Sequence, residues 1–173
     1  MLLNYFFWMV GNKFPPGPTK NWILRRTGAR IHTTAFISPD VLLDPVYPEM
    51  IHIGENAFVG WGTKIFTHRI GLEPTKNIVK SKDLFFVEHE TSPTKGLSWT
   101  IRRGPVDITG FVGGECILEY GTTVKGVLGA VSYLRPHKVV EGDEYWYGVP
   151  AKLLSKIPLE GRKDGSSTSP AKG

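Results

Sequence analysis

The residues of this sequence best suited to acid–base chemistry at neutral pH are its histidines, because the pKa of an imidazole is ordinarily about 6.5. They stand at positions 32, 52, 68, 89 and 137. His68 differs from the others because it ends the most regular stretch of the chain, residues 51–68. His89 lies between Glu88 and Glu90, and a neighbouring carboxylate can orient an imidazole and raise its pKa. From the residues alone, a structural or surface role is the more common one for either histidine.

The stretch that ends at His68 repeats an aliphatic residue every six positions. Ile53, Val59 and Ile65 recur at this spacing, and a glycine follows each of the first two. A period of six fits neither the 3.6-residue α-helix nor the two-residue alternation of a simple strand. It is typical of a parallel β-helix, in which one aliphatic residue on each flat side points inward and a small residue turns the corner. The repeat therefore predicts an all-β chain of stacked coils.

The same repeat extends to both sides of this stretch. Upstream it occupies Ile31, Ile37 and Leu43, and downstream it occupies Ile108, Val112, Leu118, Val124, Leu128 and Leu134. Residues 44–49 interrupt it, because they contain two prolines, which cannot donate to a strand ladder. The steps that end at Val112 and at Leu128 span four residues instead of six. We expect the coil to cut a corner at both places.

Between the two periodic blocks, residues 69–104 show no repeat. This segment is polar, contains Pro74 and Pro93, and has one hydrophobic cluster at residues 84–87. An irregular stretch of this length in a compact domain is usually functional or disordered. Because it begins directly after His68, we expect an excursion loop that folds over this histidine; a disordered insertion is the alternative.

The first 28 residues predict a helical cap over the first coil. Residues 1–11 are apolar and predict a short helix, which either covers the coil or touches a membrane surface through residues 1–12. They are far fewer than the roughly 20 residues that span a bilayer, and they show no secretory cleavage pattern. Residues 19–26 predict a second short helix. We expect a cytoplasmic protein.

After the last repeat, the pattern predicts a short C-terminal helix and a tail. Pro150 is suited to the first turn of a helix that would run to Ile157. Residues 158–173 are polar and predict a disordered tail. The β region is therefore expected to span residues 29–157.

Composition excludes several classes of function. Apolar residues make up 40% of the chain and charged residues 21%, as in soluble globular proteins. The net charge of +5 attracts polyanions, but no dense run of Lys and Arg with interleaved aromatic residues indicates nucleic-acid binding. Cys116 is the only cysteine, so neither an intrachain disulfide nor a multi-cysteine metal site is possible.

Together with the repeats, four segments resemble the hexapeptide-repeat acyltransferases, relatives of the maltose, galactoside and serine O-acetyltransferases. They are residues 53–68, 104–108, 111–114 and 148–152 (GVPAK). The resemblance implies a left-handed parallel β-helix, a hexapeptide-repeat solenoid, and the handedness rests on the resemblance alone. The chain departs from the family pattern at Thr109, where glycine is usual, and at Phe111, where tryptophan is common.

The resemblance also implies an activity. Members of this family transfer an acetyl or other acyl group from coenzyme A to a hydroxyl or amine of a small acceptor, and a sugar or sugar derivative is expected here. It implies His68 as the general base, no metal, and a homotrimer with sites between subunits. It implies a contact between Lys152 and the nucleotide phosphates of coenzyme A. We also expect close backbone approach to coenzyme A at Gly113 and Gly114, and stacking of Trp146 or Tyr147 on its adenine. Their alternative roles are corner glycines, a surface lysine and a tryptophan that covers the last coil.

Two other classes of function use the same scaffold. A zinc enzyme like the γ-class carbonic anhydrases needs three clustered histidines with an H-x4-H pair, and the five histidine positions contain no such spacing. A non-catalytic scaffold that kept the coils and lost the chemistry is favoured by the two short steps of the repeat.

Overall fold

A computed structural model describes residues 2–74, 84–87 and 97–157, which form two α-helices, a 3-10 helix and eighteen strands. The helices are α1 (Leu2–Asn12) and α2 (Pro18–Arg25), and the 3-10 helix spans Pro48–Met50. The strands are β1 (Arg30–Ile31), β2 (Phe36–Ile37), β3 (Leu42–Leu43), β4 (Ile51–Ile53), β5 (Phe58–Val59), β6 (Lys64–Ile65), β7 (His68–Pro74), β8 (Leu84–Val87), β9 (Leu97–Arg103), β10 (Val106–Ile108), β11 (Phe111–Val112), β12 (Ile117–Leu118), β13 (Thr123–Val124), β14 (Val127–Leu128), β15 (Tyr133–Leu134), β16 (Val139–Val140), β17 (Glu144–Gly148) and β18 (Ala151–Lys156).

Successive short strands join three sheets in rotation. Sheet A has the order β1-β4-β10-β13-β16, sheet B the order β2-β5-β11-β14-β17-β18, and sheet C the order β3-β6-β12-β15. All of these neighbours are parallel except β17 and β18. One strand from each sheet, taken in chain order, makes one coil of the chain. The prediction of a mostly β protein with parallel strands is confirmed.

The aliphatic residues of the repeat fill the space between the three sheets. They lie in register as Ile31, Ile53, Ile108, Val124 and Val140 in sheet A, Ile37, Val59, Val112 and Leu128 in sheet B, and Leu43, Ile65, Leu118 and Leu134 in sheet C. None of these side chains is more than 4% exposed. Each such burial stabilises the fold by about 1.5–3 kcal/mol relative to exposure. The predicted core is therefore confirmed.

Both short steps of the repeat cut the same corner, the one between sheets A and B. Residues 109–110 join β10 to β11, and residues 125–126 join β13 to β14. The two corners stack closely: a Cβ atom on Gly110 would lie 2.2 Å from the carbonyl oxygen of Gly126. The shortened corners are confirmed, and glycine at position 110 is what lets them approach each other.

Both interruptions of the repeat leave the coil at a different corner, the one between sheets C and A. Residues 44–50 follow β3, and residues 66–105 follow β6. Because β3 and β6 are paired neighbours, with Leu43 opposite Ile65, the two insertions begin side by side.

The segment after His68 is not the irregular loop that the sequence predicts. Its strands β7 and β8 both pair antiparallel with β9, in the order β7-β9-β8. The prediction is wrong because an insertion of this length must find partners for its own backbone N–H and C=O groups, and a small sheet provides them. Residues 75–83 and 88–96, which include His89, lie outside the described residues. That this segment folds over His68 therefore stays a prediction.

Helices α1 and α2 lie where the sequence predicts them, at the start of the first coil. Trp8 of α1 packs against the core, and its Nε1 donates a hydrogen bond of 3.0 Å to the carbonyl oxygen of Val41. Asn21 of α2 donates through Nδ2 to three carbonyl oxygens within residues 32–35. The helices therefore satisfy backbone groups at the open end of the coil. Among the described residues, no helix is long and apolar enough to cross a bilayer.

The predicted C-terminal helix is wrong, because residues 151–156 form the strand β18. This strand pairs antiparallel with one edge of β17, and β14 pairs with the other edge. A helix would have left the edge of β17 unpaired, whereas the hairpin covers it. Pro150, whose position suggests a helix start, serves equally well in the turn of a hairpin. The predicted disordered tail, residues 158–173, lies outside the described residues.

Lys20 of α2 gives the fold a predicted dependence on pH. It is fully buried, and its Nζ donates to the carbonyl oxygen of Ser38 at 2.8 Å. Burial lowers the pKa of Lys20 from 10.5 to about 8, partly offset by Asp40. Between these two values the unfolded chain binds more protons, so the free energy of unfolding should rise with pH. Urea unfolding of the wild type and of Lys20→Met across this range checks it. A wild-type rise no steeper than that of the variant would contradict the prediction.

Candidate active site

His68 is the first residue of β7, and the chain holds its backbone on both sides. The N–H of Gly104 donates to the carbonyl oxygen of Thr67 at 2.9 Å, and His68 itself pairs with Arg103. Ile65, three residues earlier, is fully buried in the core. The His68 side chain is 17% exposed. The strand therefore fixes the backbone while the imidazole reaches the surface.

A buried carboxylate bonds the imidazole of His68. Nδ1 of His68 lies 2.5 Å from Oδ2 of Asp44, whose side chain is 1% exposed. The same oxygen accepts hydrogen bonds from the N–H of Thr67 at 2.9 Å and from its hydroxyl at 2.7 Å. The other oxygen accepts the N–H of Val46 at 2.9 Å. Four donors therefore converge on one buried carboxylate.

These bonds determine which nitrogen of His68 carries the hydrogen. An ionised carboxylate only accepts hydrogen bonds, so Nδ1 of His68 must donate its N–H to Asp44. In the neutral imidazole, Nε2 then keeps its lone pair and can accept a proton. The pair has the geometry of a general base with a fixed tautomer.

Tyr47 limits the movement of the imidazole from a second side. Its ring meets the His68 ring edge to face, with centroids 5.4 Å apart and an interplanar angle of 79°. The guanidinium carbon of Arg103 lies 5.3 Å from the centre of the same tyrosine ring. Residues 44–50 therefore supply both the carboxylate and the aromatic ring that position His68.

A second polar cluster follows β12, the neighbour of β6 in sheet C. The hydroxyl of Tyr133 donates to Oε1 of Glu119 at 2.8 Å, and Nη1 of Arg69 lies 3.7 Å from Oε2. Burial raises the pKa of Tyr133 above its usual value of 10, and the bond to Glu119 raises it further. The phenol therefore stays protonated at neutral pH and acts here as a donor, not as a competing base.

The two glycines predicted to contact coenzyme A lie at the corner between sheets B and C. A Cβ atom on Gly113 would lie 2.4 Å from the backbone nitrogen of Ala130. A Cβ atom on Gly60 would lie 2.4 Å from the backbone nitrogen of Gly114. Close stacking of successive corners is therefore one reason for glycine here. A contact with coenzyme A stays a prediction.

Trp146 and Lys152 lie in the last hairpin. Trp146 pairs with Leu128, packs against the core, and donates from Nε1 to Oε2 of Glu144 at 2.9 Å. Lys152 is exposed on β18 opposite Tyr147. Within one chain, the residues predicted to contact coenzyme A thus lie on later coils than His68. They lie in sheet B or at the corner between sheets B and C, whereas His68 lies at the corner between sheets C and A.

The other described histidines lack a buried carboxylate partner. Nδ1 of His52 lies 3.2 Å from Oδ1 of Asp107, but both side chains are well exposed, at 44% and 38%. His32 contacts Thr34, and the ring of His137 contacts that of Tyr120. In the part of the chain that the structure describes, no three His, Cys, Asp or Glu side chains are placed to hold a metal ion.

Asp44 is the site residue that the sequence analysis missed. A signal was present: an Asp-Pro pair directly follows Leu43, where the repeat breaks. Its importance depends on which coils are neighbours. Only the pairing of β3 with β6 shows that this break lies beside the point where the chain leaves the coil toward His68.

Solved structures of known acetyltransferases have the same fold. The hexapeptide-repeat-containing acetyltransferase VCA0836 from Vibrio cholerae aligns with a TM-score of 0.57 and 18% identity, over 89% of this chain and 88% of that one. A structure of VCA0836 complexed with acetyl coenzyme A gives a TM-score of 0.52. A maltose O-acetyltransferase from Clostridium difficile gives 0.55 and 16% identity, over 89% and 84%. A galactoside acetyltransferase in complex with coenzyme A gives 0.53 and 14% identity, over 90% and 80%.

Sequence comparison adds nothing to this likeness. No protein-family model matches the chain, and no curated protein matches it significantly. At these low identities the solved structures show the fold alone. The chain has the fold of the hexapeptide-repeat acetyltransferases, and the resemblance seen in the sequence is confirmed at that level.

Proposed function

We propose that this chain is a coenzyme A-dependent acyltransferase that moves an acetyl group from acetyl coenzyme A to a hydroxyl group, with His68 as general base. The observation that carries the proposal is the 2.5 Å contact between Nδ1 of His68 and the buried carboxylate of Asp44. Support comes also from two proteins of the same fold that are complexed with acetyl coenzyme A or coenzyme A. The proposal includes left-handed winding of the coils.

In the proposed reaction, the acceptor hydroxyl donates a hydrogen bond to Nε2 of His68. As its oxygen attacks the thioester carbonyl carbon, the proton passes to Nε2. The carbon–sulfur bond then breaks, and the imidazolium returns the proton to the departing sulfur. Asp44 stabilises the positive charge that the ring carries between these two transfers. Holding both substrates together contributes through proximity, and the base contributes roughly 10²–10⁴ in rate.

The only cysteine supports direct attack over a covalent intermediate on sulfur. Cys116 is fully buried, and its Sγ donates to the carbonyl oxygen of Gly129 at 3.1 Å. Burial raises the pKa of its thiol above the usual value. A protonated thiol inside the core is a poor nucleophile, because the reactive form is the exposed thiolate.

A sugar or sugar derivative is the proposed acceptor, because two proteins of this fold are a maltose and a galactoside acetyltransferase. The test incubates the purified protein with acetyl coenzyme A and a panel of sugars, nucleotide sugars and amines, and weighs the products. An acetylated sugar supports the proposal. If only amines are acetylated, the reaction is N-acetylation and the proposed transfer to a hydroxyl group is wrong.

A non-catalytic scaffold is the second candidate, and the shortened corners at residues 109–110 and 125–126 favour it, since they depart from the regular coil. Calorimetry with coenzyme A separates the two. Binding without any product from the acceptor panel, or no binding at all, would favour the scaffold.

We further propose a cyclic trimer, supported by an aromatic row on the outer face of sheet B. Phe36 stacks on Phe58 with ring centroids 5.0 Å apart, and Phe58 stacks on Phe111 at 4.5 Å. Phe36 and Phe111 are 45% and 42% exposed. An exposed apolar row on a flat sheet is typical of an interface. In a cyclic trimer this face meets a different surface of the next subunit, so groups on separate sides of one chain can share a site.

Phe111→Asp is expected to dissociate this trimer, because it would place an unpaired charge in an apolar interface. Light scattering at micromolar concentration should give the wild type a mass three times that of the 19.3 kDa chain and give the variant a lower mass. Val149→Asp, which changes an equally apolar residue that is 72% exposed in the β17–β18 turn, is the control and should remain trimeric. A monomeric wild type would contradict both the trimer and the shared site.

A further inference from the structure

Helix α1 has two apolar sides, and the protein covers only one of them. On the covered side, Trp8 packs against the core, and Gly11 is buried so closely that a Cβ atom on it would lie 2.8 Å from Cδ2 of Leu24. On the other side, five large apolar residues face solvent. They are Leu2, Leu3, Tyr5, Phe6 and Met9, with exposed fractions of 88%, 64%, 50%, 51% and 45%.

The exposed residues form one continuous stripe. Leu2, Tyr5, Phe6 and Met9 have the spacing i, i+3, i+4 and i+7, which places them on one side of a helix. Gly11 lies on the opposite side, and Trp8, whose ring centroid is 5.4 Å from that of Tyr5, lies between the two sides. We call the exposed stripe the α1 outer face. The covered side accounts for the contacts of α1 with the coil, and the α1 outer face is left available for a partner.

The charge of the N-terminal segment, residues 1–39, indicates which kind of partner the α1 outer face binds. The first 39 residues contain no Asp or Glu, and of the 21 Lys and Arg residues five lie there; the other 16 balance 16 acidic residues. The net charge of +5 therefore comes entirely from this segment. Lys13, Arg26 and Arg30 are exposed, and Arg26 lies over the exposed ring of Trp22, 4.7 Å from its centre.

We propose that the α1 outer face docks this chain onto the surface of an anionic lipid bilayer. Apolar and aromatic side chains of a short helix bury well at the boundary between headgroups and acyl chains, and neighbouring basic residues are attracted to anionic headgroups. A helix of 11 residues lies along the surface, since it is too short to cross. A second copy of the chain suits the face less well, because pairing two such segments brings like charges together. This inference does not depend on the proposed acyl transfer.

Co-sedimentation with lipid vesicles tests the proposal. The wild type should sediment with vesicles of phosphatidylcholine and phosphatidylserine, less with phosphatidylcholine alone, and be released by salt. Phe6→Asp combined with Met9→Asp should lower the partition coefficient about tenfold or more. Lys13→Glu combined with Arg30→Glu should weaken binding to the anionic vesicles only. Leu154→Asp, at a 64% exposed residue of β18, should bind like the wild type.

All substituted side chains are exposed, so thermal unfolding should stay unchanged and loss of binding will not reflect loss of fold. Wild-type protein that sediments with neither kind of vesicle would overturn the proposal. So would equal binding by the Phe6→Asp and Met9→Asp double variant. If that double variant lowers the mass of the protein in solution without changing its sedimentation with vesicles, the α1 outer face is a contact between copies, and the membrane proposal is wrong.

Discussion

His68→Ala should lower turnover by about 10²–10⁴-fold, the usual contribution of a positioned general base. The fold and the affinity for coenzyme A should stay close to those of the wild type, because the His68 ring is partly exposed and lies outside the core. Initial rates at saturating acetyl coenzyme A give the turnover. Calorimetry with coenzyme A and a thermal melt check the affinity and the fold.

His52→Ala is the matched control for this prediction. His52 also bonds an aspartate, Asp107, but the pair lies exposed on the outer face of sheet A. Its removal should change the rate by less than a few-fold. His89→Ala is also expected to cost much less than His68→Ala. A folded His68→Ala protein with a rate within a few-fold of the wild type would contradict the assignment.

Asp44→Asn should lower kcat on the order of 10²-fold or more while the KM for acetyl coenzyme A stays nearly unchanged. An asparagine can turn its NH2 group toward Nδ1 of His68, and the ring then carries its hydrogen on Nε2, where it cannot act as a base. In that orientation the NH2 group also faces the N–H of Thr67, and if it turns the other way it faces the N–H of Val46 instead. Steady-state kinetics on both substrates measures the two constants.

Asp44 also has a structural role, so the kinetic effect must be separated from it. A donor left without its acceptor costs about 1–3 kcal/mol, and the melting temperature of Asp44→Asn should fall. Rates are therefore compared well below that temperature. In a His68→Ala background, Asp44→Asn should lower kcat no further, because the residue acts through the imidazole. A full additional loss in the double variant would show that Asp44 does not act through His68.

The sequence predicted the core because its cause is local. One inward side chain on each flat side imposes the six-residue period, and residues such as Ile53, Val59 and Ile65 follow it whatever the rest of the chain does. The shortened corners were visible for the same reason. His68 is predicted to be the general base through the resemblance and through its place at the end of this run, and this stays a prediction.

What the sequence did not predict depends on contacts between distant segments. The strand β9 pairs on both sides with strands of its own insertion, and no local repeat in the sequence predicts this pairing. At Pro150 the local sequence predicts a helix, but the segment that follows pairs with the free edge of β17 and forms a strand. The partnership of Asp44 with His68 joins two insertions that only the stacking of coils brings together.

The most direct test of the account is a single-turnover experiment with the protein in excess over acetyl coenzyme A. Thiol release and the mass of the protein are followed with and without the acceptor found in the screen. Direct attack assisted by His68 predicts thiol release only with the acceptor, at the same rate as product formation, and no acetylated protein at any time. Thiol release without acceptor that leaves an acetyl group on the protein, or no release with any acceptor, would contradict it.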